Sequence, residues 1–110
     1  MTVYLIHLDP PLAHASHYTG YTPDADAEPR VAEHMRGQGS PLVKAALANG
    51  SVAHVARTWD GAGRDFERWL KSMRTPRRWC PLCTPTPQAI SPEQIPDAFR
   101  ERKPAYAGAM

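Results

Sequence analysis

The sequence predicts a small α+β domain, a three-stranded antiparallel sheet flanked by helices in the order β-β-α-α-β-α. Three observations carry this. Val3–Leu8, His17–Thr22 and Val52–Trp59 are short runs rich in β-branched, aromatic and aliphatic residues. Phe66, Trp69, Leu70 and Met73 recur at helical spacing and make one apolar stripe. Proline and glycine clusters separate these segments where turns are needed.

The elements follow in order. Val3–Leu8 forms the first strand, and Asp9-Pro10-Pro11 ends it. His17–Thr22 forms the second, paired antiparallel to the first through a loop. Asp24 or Asp26 caps a helix that runs to about Arg36, with Gly37 past its end and Pro29 in its first turn, where a missing N–H does no harm. Ser40-Pro41 opens a second helix, and Asn49-Gly50 closes it. Val52–Trp59 is the third strand, Asp60-Gly61-Ala62-Gly63 a turn, and Arg64–Arg74 the last helix. The compact domain spans residues 1–83. Residues 84–110 read as a Pro- and Ala-rich tail, partly disordered or with one short helix from Ser91-Pro92-Glu93 to Pro104.

A chain of 110 residues suits one domain. Two cysteines, Cys80 and Cys83, are no secreted disulfide framework. No apolar run approaches the roughly 20 residues that span a bilayer. The N-terminal run lacks the basic flank of a signal peptide. These features point to a reducing, cytoplasmic setting and no membrane.

The formal net charge of +2 is unevenly spread. Residues 1–29 carry four acidic and no Lys or Arg side chains, whereas residues 30–80 carry ten basic and four acidic ones. The basic charge peaks at Arg64, Arg68, Lys71, Arg74, Arg77 and Arg78. Such a cluster is the footprint of a phosphate-binding face, or a solvated helix face.

Several side chains can carry chemistry. Glu67 lies on the edge of the last helix's apolar stripe and can point into a site or pair with Lys71. Arg30 and His34, four apart, share one helix face and suit a phosphate, Arg through its bidentate fork and His as a proton carrier. The alternative for that pair is an ordinary solvent-exposed face. Tyr4 and Tyr18 fall in paired strands and can share a sheet face, either as packing residues or as part of a site.

Taken together, Tyr4, Tyr18-Thr19-Gly20, Arg30 with His34, and Glu67 resemble the GIY-YIG nuclease family in kind and order. Val3-Tyr4-Leu5 stands where that family has its first Gly-Ile-Tyr strand, and Tyr18-Thr19-Gly20 where it has Tyr-Ile-Gly. Arg30–His34 resembles its Arg-x-x-x-His helix, and Phe66-Glu67-Arg68 its metal-binding glutamate helix. The resemblance covers residues 2–74. Thr2-Val3 replaces Gly-Ile, the spacer between the tyrosines is long, and Ser72–Arg78 lacks the asparagine common in the family.

The resemblance implies metal-dependent hydrolysis of phosphodiester bonds in DNA, branched or foreign DNA included, with RNA as the other nucleic acid. Glu67 would hold Mg²⁺ or Mn²⁺. Tyr4 or Tyr18 would orient the water and accept its proton, Arg30 would neutralise charge on phosphorus, and His34 would bond a tyrosine or the phosphate. Gly20 would let the backbone turn beside the site. Arg64, Arg68, Lys71, Arg74, Arg77 and Arg78 would grip flanking phosphates.

Cys80-Pro81-Leu82-Cys83 has the spacing of half a zinc site, of a redox dithiol, or of a packed terminal turn. His14, His17, His54 or a second subunit would have to complete a zinc site, so a homodimer stays open. Two functions compete with the nuclease: a non-catalytic nucleic-acid-binding module and a zinc-stabilised interaction protein.

Overall fold

The structure, a computed structural model, describes residues 1–100. Strand β1 (Thr2–Leu12) pairs antiparallel with both β2 (Ala15–Thr22) and β3 (Val52–Asp60), giving the sheet order β2-β1-β3. The central place of β1 explains its sequence. Its residues from Val3 to Leu8 are buried on both faces, apart from the half-buried His7, so they read as a nearly continuous apolar run.

Helices α1 (Glu28–Met35) and α2 (Pro41–Ala48) accompany one face of the sheet, and α3 (Arg64–Met73) the other. Side chains alternate accordingly. Tyr4, Ile6 and Leu8 pack with Ala27, Val43 and Ala46 on the first face. Val3 and Leu5 pack with Trp59, Phe66, Leu70 and Trp79 on the second. The expected α+β class, three-stranded antiparallel sheet and three helices are all present.

Several boundaries differ from the sequence reading, each for a physical reason. Strand β1 does not stop at Asp9-Pro10-Pro11 but continues to Leu12, and its Asp9–Pro10 peptide is cis. Its pairing with β2 lapses between His7 and Leu12, so neither proline has to donate to that part of the ladder. Helix α1 takes Ala27 rather than an aspartate as N-cap, and the Asp26 carboxylate instead accepts from the Glu28 N–H. Helix α2 has the expected cap: Ser40 Oγ accepts from the Leu42 and Val43 amides, and Pro41 follows. Helix α3 ends one residue earlier than expected, because Arg74 adopts the left-handed conformation at φ 55°.

The chain does not leave the fold at residue 83. After a short 3-10 turn at Pro76–Arg78, the chain crosses the second sheet face as an arm, and Ile90 and Ile95 enter the core there. Two side chains of β3 hold the arm. The Trp59 indole N–H donates to the Ile90 carbonyl at 2.8 Å, and the Arg57 guanidinium donates to the carbonyls of Trp79, Gln88 and Ile90. In place of the expected helix there are two 3-10 turns, Pro92–Gln94 and Asp97–Phe99. The expected stop at Pro104 lies outside the described residues.

Ile90 is 3% exposed. Ile90→Ala is therefore expected to cost about 2–5 kcal/mol in urea unfolding, as a core truncation does. An unstructured tail would tolerate it without effect.

Candidate functional site

On the first sheet face, at its β2 edge, four elements deliver five polar side chains to one place. Tyr4 comes from β1 and Tyr18 from β2. The register sets Tyr4 opposite Gly20 and Ile6 opposite Tyr18, so both tyrosines project from the same face. Their rings lie 6.5 Å apart, and the His34 ring from α1 lies 5.7 Å from Tyr4 and 5.1 Å from Tyr18.

Gly20 does not turn the chain. It sits in mid-strand, and a Cβ there would clash with the ring and hydroxyl of Tyr4. Its lack of a side chain lets Tyr4 lie across β2. Gly39 plays the same part for His34, whose ring occupies the space a Cβ would need.

His34 is fully buried, not on the solvent-exposed face of α1 that its spacing also allowed. Its tautomer follows from its partners. The Ser40 amide donates to Nδ1 at 2.9 Å, so Nδ1 carries no proton. The ring proton is then on Nε2, which donates to Tyr4 Oη at 2.7 Å. Burial, reinforced by the nearby Arg30 charge, holds the imidazole pKa below its usual value, consistent with this neutral form.

Burial pushes the Tyr4 phenol up to about 12, and the neighbouring Tyr18 adds to the rise. Arg30 opposes both by its charge and by a hydrogen bond to the phenol, while Glu67 adds a small further rise. Arg30 also pairs with Glu33 at 2.7 Å.

Glu67 reaches this place from the other side of the sheet. It is 8% exposed, with its carboxylate 3.2 Å from Lys71 Nζ and 3.8 Å from Arg64. The Lys71 ammonium in turn sits 5.6 Å over the Tyr18 ring. Tyr4, Tyr18, Arg30, His34 and Glu67 are thus gathered from β1, β2, α1 and α3, with Lys71 linking the glutamate to the aromatic side.

The basic residues spread outward from there. Lys71 and Arg74 line a cavity of about 330 Å³ with Tyr18, Thr19 and Leu42. Arg74, Arg77 and Arg78 line the next one, about 400 Å³, with His14 and Ser16. Arg74 belongs to both. A glycine would take its left-handed conformation at lower cost, and the arginine keeps a guanidinium between the two spaces. Arg64 stacks on Tyr21 at 4.5 Å, away from these cavities, and Arg68 is exposed on α3.

A second constellation lies on the opposite sheet face. His7 and His17 are cross-strand partners in β1 and β2, and the turn after α3 brings Cys80 and Cys83 against them. The four ligand atoms lie within 4.8 Å of one another, a cluster that can hold a metal ion. Cys83 Sγ is 3.3 Å from His17 Nε2, both sulfurs are 3.6 Å from His7 Nδ1, and the two nitrogens are 3.2 Å apart. Ser16 Oγ, 2.8 Å from His17 Nδ1, fixes that ring so that Nε2 faces the sulfurs. Burial, with His7 and Arg77 nearby, lowers the His17 pKa to about 4.

Sequence reasoning named Cys80, Cys83 and His17 for such a site but missed His7. His14 and His54 stay outside the cluster. The signal for His7 was present only in the pairing: a histidine in each of two strands, at positions that meet if the strands are in register.

Comparison of the chain with protein-family models, curated proteins and solved structures finds no match. Its chemistry is therefore read from these residues alone. Among the described residues, no helix is long and apolar enough to cross a membrane.

Proposed function

We propose that this chain is a metal-dependent endonuclease of the GIY-YIG type that hydrolyses phosphodiester bonds in DNA and acts in the cytoplasm. The supporting observation is the convergence of Tyr4, Tyr18, Arg30, His34 and Glu67 at one edge of the sheet, with Lys71 and Arg74 leading away from it.

Glu67 fits a hard divalent cation as a single carboxylate ligand. Its carboxylate is drawn out of bulk water, and its present partners are two side chains that a cation would displace. Among the described residues it joins no group of three or more metal-ligating side chains. Such an ion would take its remaining ligands from water and the substrate phosphate, as Mg²⁺ usually does. When bound, Mg²⁺ or Mn²⁺ supplies positive charge that polarises the phosphate and offsets charge on the leaving oxygen.

The protein's own groups do the rest. Burial holds the Tyr4 phenol protonated, up to about 12, and the hydrogen bond from His34 and the Arg30 guanidinium act against that rise, so Tyr4 must first lose its proton to serve as base. As phenolate it takes the proton of the attacking water, whose oxygen bonds to phosphorus while the bond to the 3′ oxygen breaks. Arg30 offsets the charge that grows on the phosphorus oxygens. Tyr18 borders the cavity through which a strand would leave, and Lys71, Arg74, Arg77 and Arg78 bind its phosphates. The sulfur and imidazole cluster on the other face has softer ligands, suited to zinc rather than magnesium, and takes no part in this reaction.

The test incubates linear, branched and single-stranded DNA, and RNA, with the protein in Mg²⁺ or Mn²⁺ and in chelator. Metal-dependent cleavage is expected, falling about 10²–10³-fold in Arg30→Ala. Tight, salt-sensitive binding without cleavage of any substrate would establish a nucleic-acid-binding module instead.

A further inference from the structure

We propose that His7, His17, Cys80 and Cys83 form a closed, structural Zn²⁺ site that clips the C-terminal arm onto the β1–β2 hairpin. The proposal is independent of the nuclease reading.

The distances carry it. Zinc bonds to nitrogen at about 2.0–2.1 Å and to sulfur at about 2.3 Å. In a tetrahedron those lengths separate two nitrogens by about 3.4 Å and a nitrogen from a sulfur by about 3.5 Å. The protein holds its two nitrogens 3.2 Å apart and gives nitrogen–sulfur separations of 3.3, 3.6 and 3.6 Å. These four separations match the edges of a tetrahedron around zinc, and all four ligand atoms lie within 4.8 Å of one another.

The ligand chemistry selects the ion. Two thiolates and two imidazoles suit zinc, and exclude Mg²⁺ and Ca²⁺, which want oxygen. Four protein ligands leave no open position for water or substrate, so the site is structural and not catalytic. Each thiol gives up its proton on binding, and zinc takes its place.

What the ion would fasten is visible in the fold. His7 lies on the central strand, His17 on an edge strand, and the cysteines at the start of the arm that carries Ile90 and Ile95 into the core. The opposite side of the arm is held by Arg57 and Trp59 of β3. Zinc is the fastening on the β2 side. Arg77 and Arg78, just ahead of Cys80, are placed by the same clip.

The experiment uses the full chain, purified without added metal. Metal analysis is expected to give one zinc per chain, and cobalt substitution the visible absorption of a tetrahedral sulfur–nitrogen site. Chelation with a zinc-selective agent is expected to open the chain after Cys83 to protease and both thiols to alkylation. Cys83→Ser should lose the zinc. Because that variant risks misfolding, His17→Cys provides the second arm: it should retain one zinc and the protease resistance, with a more thiolate-like cobalt spectrum. Protein that folds with no zinc and takes none up, a Cys80–Cys83 disulfide in the native chain, or one zinc shared between two chains would each overturn the proposal. None of these readouts depends on DNA cleavage, so loss of the nuclease reading would leave the zinc result standing.

Discussion

Glu67→Gln is expected to leave a folded protein that no longer cuts DNA in Mg²⁺ or Mn²⁺. The substitution keeps the size of the side chain and removes the negative charge. What the fold loses is small: the Glu67–Lys71 pair at 3.2 Å is an i,i+4 pair whose lysine is half exposed, and such pairs contribute about 0.3–0.5 kcal/mol. What the proposed reaction loses is large. Metal charge stabilisation contributes several kcal/mol, so the rate should fall at least about a thousandfold. The check is a plasmid-nicking time course beside a thermal melt. Cleavage at the wild-type rate with an unchanged melting temperature would remove Glu67 from the chemistry. Loss of both fold and activity would identify a packing role for this buried carboxylate.

Gly20→Ala is expected to damage stability and activity together, although it adds a single methyl group in the middle of a strand. Alanine suits a strand backbone at least as well as glycine, so local propensity argues that the change is harmless. The Tyr4 ring reverses that conclusion, because it fills the volume the new Cβ would take. The ring cannot swing clear easily, with His34 bonded to its oxygen and Tyr18 beside it. Overpacking of this kind costs about 1–3 kcal/mol. Moving the phenol oxygen by about 1 Å would cost a further 10²-fold in rate. A double-mutant cycle isolates the cause. With Tyr4→Ala already in place the methyl group has room, so the two stability losses should fall short of additive by about 1 kcal/mol or more. Simple additivity would show that Gly20 matters for some other reason.

Much of this architecture was legible in the sequence, and the parts that were not have common causes. The strands, the Ser40-Pro41 start of α2 and the stripe of α3 are local properties, written in period and capping chemistry. The placement of Glu67 at the stripe's edge followed from the same arithmetic. Four features were out of reach because they are made by distant residues. Strand β1 passes through Pro10 and Pro11 because its pairing with β2 lapses there. His34 is buried because the Ser40 amide and the Tyr4 hydroxyl, six and thirty positions away, satisfy both its nitrogens. His7 joins Cys80 through a strand register and a turn that no spacing rule connects. Ile90 and Ile95 sit in a proline-rich stretch with no period, and they reach the core because Arg57 and Trp59 satisfy the arm's carbonyls.

Strand β1 carries one member of each constellation, Tyr4 on one face and His7 on the other, three residues apart. That separation is odd, and alternation along a strand sends the two side chains in opposite directions. Inserting or deleting a single residue between them would bring both to the same face, and one constellation or the other would lose its member. The spacing between Tyr4 and His7 is thus a parity lock. Substitutions can adjust either centre alone, but a change of length in those few residues cannot spare both.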